Sequence, residues 1–327
     1  MSLAKNVKVL IFLSIMFGGY FFGSVSAYAA DGKGAAIWVI DRQDNTLIKL
    51  SSNDPDMRAE VGGFNSPRDI AVDAADGTCW VADFRNDRIV QISDIGVTKS
   101  HIIDRNITEP FHISIDPKER VLWIANPKRG EIIKFSLDTK KEIFRVKKFQ
   151  NPHDVAFSPY DNSVWVSDMD KGEVVKLSGK GKILAKIQGE FSKPEHLAIN
   201  GNDGSCWVSD REDLSVARIS ADGRRIEGKA SGFGKPFQFT IDTYDGSCWV
   251  SVLNEGTLVK ISRKGEIIKR LTIFKSSYGL SDIDPRDRTF WMADGTGGEI
   301  LKLNASGEVI ERIGGFKKPY LVSIFKK

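Results

Sequence analysis

The sequence predicts an all-β protein, a seven-bladed β-propeller with four-stranded blades. The first observation is the spacing of the tryptophans, which follow one another at intervals of 42 or 43 residues. They are Trp38, Trp80, Trp123, Trp165, Trp207, Trp249 and Trp291. The second is the absence of helical periodicity, and the third is that the two ends of the chain hold complementary parts of one repeat. A period of this length, filled by short strands, is typical of a propeller blade.

Each repeat reads as a series of short strands joined by tight turns. A proline stands 13 residues before the tryptophan in five repeats, and Tyr278 takes that place in the last of them. Apolar residues alternate with other residues after the proline, as expected of a strand. A pair such as Asp76 and Gly77 then marks a hairpin turn. The tryptophan lies on the strand that follows this turn.

The two ends of the chain complete one blade between them. The first repeat begins at the strand of Trp38 and has no proline strand before it. The missing strand follows Pro319 at the other end. We therefore expect the C-terminal strand to join the N-terminal blade and close the ring, which protects strand edges that would otherwise be exposed.

The first 30 residues differ from the repeats. Lys5 and Lys8 precede 22 uncharged residues (9–30), in which Ala27 and Ala29 have the spacing of a signal-peptidase site. We expect residues 1–30 to be a signal peptide and residues 31–327 to be a single propeller domain. The protein would then be extracytoplasmic, periplasmic or secreted, without a membrane attachment. A retained anchor is the alternative, because such a stretch can span a bilayer.

The charge pattern narrows the range of partners. Removing the signal peptide takes away two lysines and lowers the net charge from +4 to +2. Basic residues are interspersed with acidic ones, whereas a nucleic-acid partner needs a basic patch. We expect no nucleic acid, a monomer, and a small molecule, glycan or peptide as ligand.

The amino-acid sequence of the repeat resembles two known groups. The segment that starts at Pro67 and continues through Trp80 to Ile89 looks like an NHL repeat, and the whole mature chain is similar to the seven-bladed streptogramin B lyase group. That resemblance implies a lyase that opens cyclic depsipeptides by elimination, with an inner-strand histidine and an acid 14 residues later. His196 and Asp210 have this spacing. Asp213 stands where the group's further histidine is expected.

A polar series stands two residues after each proline position, where the inner strands meet the channel mouth. In blade order it reads Asp69, His112, Asp154, His196, Gln238, Leu280 and Leu321. Three of the four histidines, His112, His153 and His196, lie at this edge. We expect a ligand site formed by Asp69, His112, His153, Asp154 and Gln238, or a divalent metal on His112, His196 and Asp154. A water-lined rim without a ligand is the alternative.

Two acids complete the candidate list. Asp282 stands four residues after the proline position, where other blades carry alanine, serine or threonine, and an acid there needs a partner. With His196 and Asp210 it forms the set of candidates for catalysis. Acids three residues after the tryptophans recur in most blades, Asp210 included, so they are expected to accept hydrogen bonds from the following turn.

The functional prediction keeps its alternatives open. The leading hypothesis is an exported NHL-like propeller that binds its ligand at the polar mouth without catalysis. The alternative is a metal-dependent lyase or hydrolase, streptogramin lyase-like or lactonase-like, that uses the same mouth. A structural ring that docks proteins is the third.

Overall fold

The computed structural model of the chain is a ring of seven four-stranded antiparallel sheets. It describes residues 35–93, 98–103, 106–253, 255–284 and 286–325. The predicted signal peptide, residues 1–30, lies outside the described residues. No helical segment in the described part of the chain has the length and apolar character of a membrane span.

The described strands are numbered in chain order. They are β1 (Ala36–Asp41), β2 (Thr46–Ser51), β3 (Arg58–Val61), β4 (Pro67–Val72), β5 (Cys79–Asp83), β6 (Arg88–Ile92), β7 (Lys99–Ile103), β8 (Ile113–Asp116), β9 (Val121–Asn126), β10 (Glu131–Ser136), β11 (Glu142–Lys147), β12 (Pro152–Ser158), β13 (Ser163–Asp168), β14 (Glu173–Ser178), β15 (Ile183–Gln188), β16 (Pro194–Ile199), β17 (Cys206–Asp210), β18 (Ser215–Ile219), β19 (Ile226–Ala230), β20 (Pro236–Asp242), β21 (Ser247–Val252), β22 (Thr257–Ile261), β23 (Ile267–Thr272), β24 (Ser277–Leu280), β25 (Phe290–Asp294), β26 (Glu299–Leu303), β27 (Val309–Ile313) and β28 (Pro319–Phe325). Two short 3-10 helices, Phe84–Asn86 and Pro127–Arg129, follow β5 and β9.

The C-terminal strand closes the ring. Blade 1 consists of β28, β1, β2 and β3, and each later blade takes the next four strands in order, up to β24 to β27 in blade 7. Strand β28 is antiparallel to β1, with Val322 opposite Val39 and Ile324 opposite Ile37. The predicted seven-bladed propeller and its closure by the C-terminal strand are therefore confirmed.

The core lies between neighbouring blades. All seven tryptophans lie on the second strand of a blade and are at most 2% exposed. Trp80 of blade 2, for example, shares one cluster with Ile113 and Ile124 of blade 3. A large aromatic side chain buries roughly 150–250 Å², so the repeated tryptophan stabilises successive contacts between blades.

Six of the seven tryptophans are followed three positions later by a polar residue. Its side chain accepts hydrogen bonds from the backbone of the segment that leads into the inner strand. Asp83 accepts the backbone N–H of Asn65, and Asp168 accepts those of Gln150 and Asn151. The equivalent acceptors are Asp41, Asn126, Asp210 and Asp294. Their predicted role as structural hydrogen-bond acceptors is confirmed, and it covers the preceding loop as well as the following turn.

The inner strand of blade 7 holds one residue more than the sequence spacing indicates. In blade 6, Pro236 pairs with Val252, three residues after the tryptophan of that blade. In blade 7 the residue paired with the equivalent Asp294 is Ser277. The expectation that Tyr278 replaces the proline is therefore wrong by one position.

This shift changes which side chains of blade 7 face the mouth. Leu280, predicted at the mouth, lies one position further along the strand, and Gly279 takes its place. The backbone N–H of Ser281 donates to the carbonyl of Trp291, so Ser281 occupies the small position that was expected for Asp282. Asp282 follows it, in the segment that accommodates the additional residue.

Candidate functional site

Three buried histidines meet at the channel mouth. His112, His153 and His196 belong to blades 3, 4 and 5, and each is at most 5% exposed. Each offers one ring nitrogen, and these nitrogens lie within 4.8 Å of one another. Because neighbouring blades are copies arranged around one axis, equivalent positions 42 to 43 residues apart in sequence come together here. The predicted convergence of His112 and His196 is present, and His153 joins them.

Two rings of side chains form this mouth, each supplied by equivalent positions of the seven inner strands. The mouth position, two residues after the strand entry, is occupied by Asp69, His112, Asp154, His196, Gln238, Gly279 and Leu321. The rim position, one residue earlier, is occupied by Arg68, Phe111, His153, Glu195, Phe237, Tyr278 and Tyr320. The sequence prediction included only His153 among the rim residues, although the repeat spacing identifies six of them. Tyr278 is the exception, because it becomes a rim residue only through the shifted register of blade 7.

Side chains at the mouth position of blades 2, 4 and 6 link each blade to the next. An oxygen of Asp69 accepts the backbone N–H of Ile113 at 2.8 Å, and one of Asp154 accepts that of Leu197 at 2.8 Å. The amide oxygen of Gln238 accepts the N–H of Leu280 at 3.2 Å. These predicted ligand-binding residues therefore also fasten the ring.

His112 lies between two carboxylates. Its Nδ1 is 3.1 Å from Asp69 Oδ2 and 3.8 Å from Asp154 Oδ1. An ionised carboxylate only accepts hydrogen bonds, so Nδ1 carries the hydrogen. Burial alone would lower the pKa of His112, but the negative charges of Asp154 and Asp69 outweigh it and raise the pKa to about 9. Burial alone would raise the pKa of Asp154, but the neighbouring His112 and His196 lower it to about 2.

His153 is held as a neutral imidazole. Its Nδ1 lies 3.3 Å from the backbone carbonyl oxygen of Glu195, and its ring packs on Phe111 with centroids 4.1 Å apart. Burial and the nearby rings of His196 and His112 hold the pKa of His153 well below its ordinary value. The carbonyl accepts a hydrogen from Nδ1, which leaves the lone pair on Nε2 available.

His196 differs from the other two histidines in its hydrogen bonding. Its side chain is 3% exposed, and neither ring nitrogen has a hydrogen-bond partner among the described residues. Asp154 Oδ2 is 3.8 Å from Nδ1, which is too long for a hydrogen bond. A buried polar group in this state costs about 1–3 kcal/mol. Its nitrogens are therefore suited to an external ligand.

The donor set fits a divalent transition metal. Imidazole nitrogens are ordinary ligands of such ions, and three of them bound at about 2.0–2.1 Å would lie roughly 3.3 Å apart. The observed nitrogens would have to approach one another by at most about 1.5 Å to reach this separation. Hydrogen bonds from Nδ1 of His112 to Asp69 and from Nδ1 of His153 to a carbonyl are the support that metal-binding histidines use.

The predicted metal ligands His112 and His196 lie in this cluster together with His153. Asp154, the third predicted ligand, accepts the N–H groups of Val155 and Leu197. It flanks the two histidines as a charged support, and His153 supplies the third nitrogen donor.

The two other acids lie apart from the histidines. Asp210 accepts the backbone N–H groups of four residues, and no hydrogen bond joins it to His196 among the described residues. The four donors are Ser192, Lys193, Glu212 and Asp213. The pairing of His196 with Asp210 implied by the lyase resemblance is thus not formed. Asp282 lines the channel, and part of its surface is exposed there. The surrounding inner strands shield its carboxyl group from bulk water, and this desolvation raises the carboxyl pKa.

Two cavities meet at His196. The channel below the mouth has a volume of about 210 Å³ and is lined by the mouth-position side chains together with Asp282. The cavity above has a volume of about 480 Å³, and its lining includes Arg68, Phe111, His153 and Tyr320. His196 lines both cavities, so a ligand in the upper one reaches the unpartnered imidazole.

Comparison with known proteins relates this chain to others through its fold. Neither a protein-family model nor a curated protein sequence matches it. The virginiamycin B lyase of Staphylococcus aureus superimposes with a TM-score of 0.64 at 16% identity, over 76% of this chain and 84% of the lyase. A streptogramin B lyase structure gives a TM-score of 0.67 at 14% identity, over 79% and 86% of the two chains. The chain shares the fold of the streptogramin B lyases.

The same fold also occurs in a protein of unknown function from Desulfotomaculum acetoxidans. That structure superimposes with a TM-score of 0.73 at 11% identity, over 90% of this chain and 99% of the other. At these identities the likeness concerns the architecture. The chemistry of the mouth follows from the side chains of this chain alone.

Proposed function

We propose that this propeller binds a small molecule, glycan or short peptide at its mouth, over a divalent transition metal held by His112, His153 and His196. The observation that carries the proposal is the unpartnered His196 imidazole, which is buried beside two other imidazoles and borders the upper cavity. A cavity of about 480 Å³ lies in the range of small-molecule sites.

Each residue of the mouth has a distinct task in this proposal. Each histidine offers one ring nitrogen within 4.8 Å of the other two, and Asp69 and the Glu195 carbonyl fix the orientation of two of the rings. His112, whose pKa is raised, would release a proton when the metal binds. Asp154 places negative charge beside His112 and His196, which favours a cation at that point. When bound, the metal supplies positive charge and an open coordination position for an oxygen or nitrogen of the ligand.

The experiment is a metal titration of the purified protein after chelation. Co²⁺ and Zn²⁺ are each expected to bind one ion per chain, and the visible spectrum of Co²⁺ reports the nitrogen ligands. His196→Ala should weaken binding by at least roughly 100-fold, more than loss of a supporting residue costs. His101→Ala, which alters the fourth histidine on the outer-blade strand β7, is the matched control. Equal affinity of the native protein and His196→Ala would refute the proposed metal site.

A metal-dependent lyase or hydrolase is the second candidate. It is supported by the fold shared with the streptogramin B lyases and by the carboxylate of Asp154 beside His196 in the same mouth. In this case His196 would move a proton at the substrate instead of binding the metal, while the upper cavity holds the substrate in place. Metal-loaded protein is incubated with lactones and cyclic depsipeptides. Product that forms with the native chain and disappears in His196→Ala supports catalysis; the absence of turnover supports binding alone.

We also propose that the propeller works outside the cytoplasm as a monomer. The support is the signal-peptide pattern of residues 1–30 and the dispersed surface charge. Mass spectrometry of the protein from an expressing bacterial culture should show a chain that starts at residue 30 or 31, and sedimentation should give one chain per particle. An intact N-terminus in the membrane fraction would favour the retained anchor.

A further inference from the structure

Two arginines near the mouth have no carboxylate partner among the described residues. Arg42 follows β1 in blade 1, and Arg68 occupies the rim position of blade 2. Neither forms an ion pair within the described part of the chain, whereas other arginines such as Arg88, Arg145 and Arg218 each contact a carboxylate. Both are only partly exposed, and Nε of Arg68 is buried without a hydrogen-bond partner.

Aromatic rings hold the two guanidinium groups in place. The guanidinium carbon of Arg42 lies 3.7 Å from the ring centroid of Tyr320. That of Arg68 lies 4.8 Å from the centroid of Phe84 and 4.9 Å from that of Phe111. Stacking fixes their positions without neutralising their charge. Two cations are therefore held at the rim, and each is only partly exposed.

Tyr320 relates the two arginines, because Arg42 stacks on its ring and Arg68 lines the same cavity as Tyr320. Burial raises the pKa of the Tyr320 hydroxyl, while Arg42 and Arg68 both act to lower it. Burial lowers the pKa of Arg42, and the charge of Arg68 lowers it further. An anion between the two guanidinium groups would relieve this repulsion.

Arg68 lines the same cavity as two of the histidines, and Arg42 stacks on the ring of Tyr320, which also lines it. Arg68, Tyr320 and His196 line the upper cavity together. Phe237 bridges them, with its ring 4.8 Å from that of His196 and 5.7 Å from that of Tyr320. These two steps limit the separation of the His196 and Tyr320 rings to about 10.5 Å. One small molecule can therefore contact both groups.

The other arginine that lines this cavity already faces a carboxylate. Arg211 Nη1 lies 3.6 Å from Glu195 Oε1, so its charge faces a carboxylate of the protein. Within this cavity, Arg68 is therefore the arginine that has no carboxylate partner among the described residues.

We propose that the ligand is a small organic carboxylate whose anionic group binds between Arg42 and Arg68 while its other end faces the histidines. The planar guanidinium fork binds carboxylates through paired hydrogen bonds, and Phe237 and Tyr320 form an apolar wall for the body of the molecule. This inference rests on the proposed function only in taking the mouth as a small-molecule site.

The test compares 3-phenylpropanoate with its neutral amide, 3-phenylpropanamide, by calorimetry and ligand-observed NMR. The native protein should bind the acid at least tenfold more tightly than the amide. Arg42→Gln and Arg68→Gln should each remove most of this preference while Co²⁺ stoichiometry stays the same. Arg312→Gln, on the outer strand β27 where Arg312 pairs with Glu299, is the control and should keep it.

The outcomes separate this inference from the metal proposal. Equal affinity of the native protein for acid and amide overturns it, and so does an unchanged preference in both arginine variants. If a variant fails to fold, the acid and amide comparison on the native chain still decides. A chain that binds the acid through the arginines but takes up no Co²⁺ would refute the metal site and leave the carboxylate subsite standing.

Discussion

Asp69 Oδ2 accepts a hydrogen bond of 3.1 Å from Nδ1 of His112, which lies 43 residues later in the chain and in the next blade. The same oxygen accepts the backbone N–H of Ile113 at 2.8 Å. One carboxylate thus joins blades 2 and 3 and sets the orientation of the first histidine of the mouth.

Replacing Asp69 is expected to weaken metal binding through that orientation. In Asp69→Asn the amide no longer provides a negative acceptor for His112, and the affinity for Co²⁺ should fall about 10–100-fold, the range found for supporting carboxylates. Competition with a chelator of known affinity measures the change. Asp222→Asn, in an exposed turn of blade 5, is the control. An unchanged affinity in Asp69→Asn would contradict the role assigned to this pair.

The stability of the metal-free protein should depend on His112 in a defined pH window. Its pKa is raised from 6.5 to about 9 in the folded state, because the charges of Asp154 and Asp69 outweigh the effect of burial. Protonated His112 therefore stabilises the fold fully below pH 6.5, and this contribution is lost as the pH rises through 9. We expect urea unfolding to show a difference between the native protein and His112→Asn that decreases over this range.

The size of that decrease follows from linkage. A shift of this extent corresponds to a free energy on the order of 3 kcal/mol. Urea midpoints measured at pH 6 and pH 9.5 with chelator present give the two limits. A difference between the two proteins that is the same at both pH values would show that His112 is not stabilised as a cation.

Asp210 is expected to affect stability and leave metal binding intact. Asp210→Ala removes the acceptor of four backbone N–H groups and should cost about 1–3 kcal/mol of unfolding free energy. Asp210→Asn should cost less, since Asn126 serves at the equivalent place in blade 3. Thermal unfolding and the Co²⁺ titration are measured on both. Loss of metal binding in a fully stable Asp210→Ala would instead return this residue to the site.

Removing β28 should abolish the closed ring. A chain that ends at Lys318 lacks the strand that pairs with β1, and with it the buried side chains of Tyr320, Leu321 and Val322. The loss should exceed about 5 kcal/mol, the upper end for a single large-to-small core change. Light scattering should then report aggregation through the exposed edge of β1. A chain that ends at Phe325 keeps β28 and should behave as the native protein.

The architecture was open to prediction because it repeats. A tryptophan every 42 or 43 residues identifies seven equivalent units, and the unmatched strands at the two ends require closure. The register of blade 7 was not open to prediction. The additional residue before Trp291 is compensated by a shorter segment earlier in the repeat, so the interval from Trp249 to Trp291 stays at 42 residues. Only the pairing of Ser277 with Asp294 reveals it.

The site was predictable only as far as symmetry reaches. Equivalent positions on copied strands must converge, which brings His112 and His196 together. Whether a side chain then finds a partner depends on distances of a few tenths of an ångström between blades. The unpartnered nitrogens of His196 and the unpaired charges of Arg42 and Arg68 are facts of this kind. Repeat spacing carries no information about them.

The mouth position alternates between hydrogen-bond acceptors and histidines through blades 2 to 6, as Asp69, His112, Asp154, His196 and Gln238. Seven positions in a ring cannot alternate between two residue types without an interruption, so the pattern must break. It breaks at Gly279 and Leu321, and the opening therefore has no rotational equivalence left. A molecule that enters the opening meets a different arrangement of side chains at each of the seven blades and has one preferred orientation about the channel axis. A ring with identical side chains would offer several equivalent orientations.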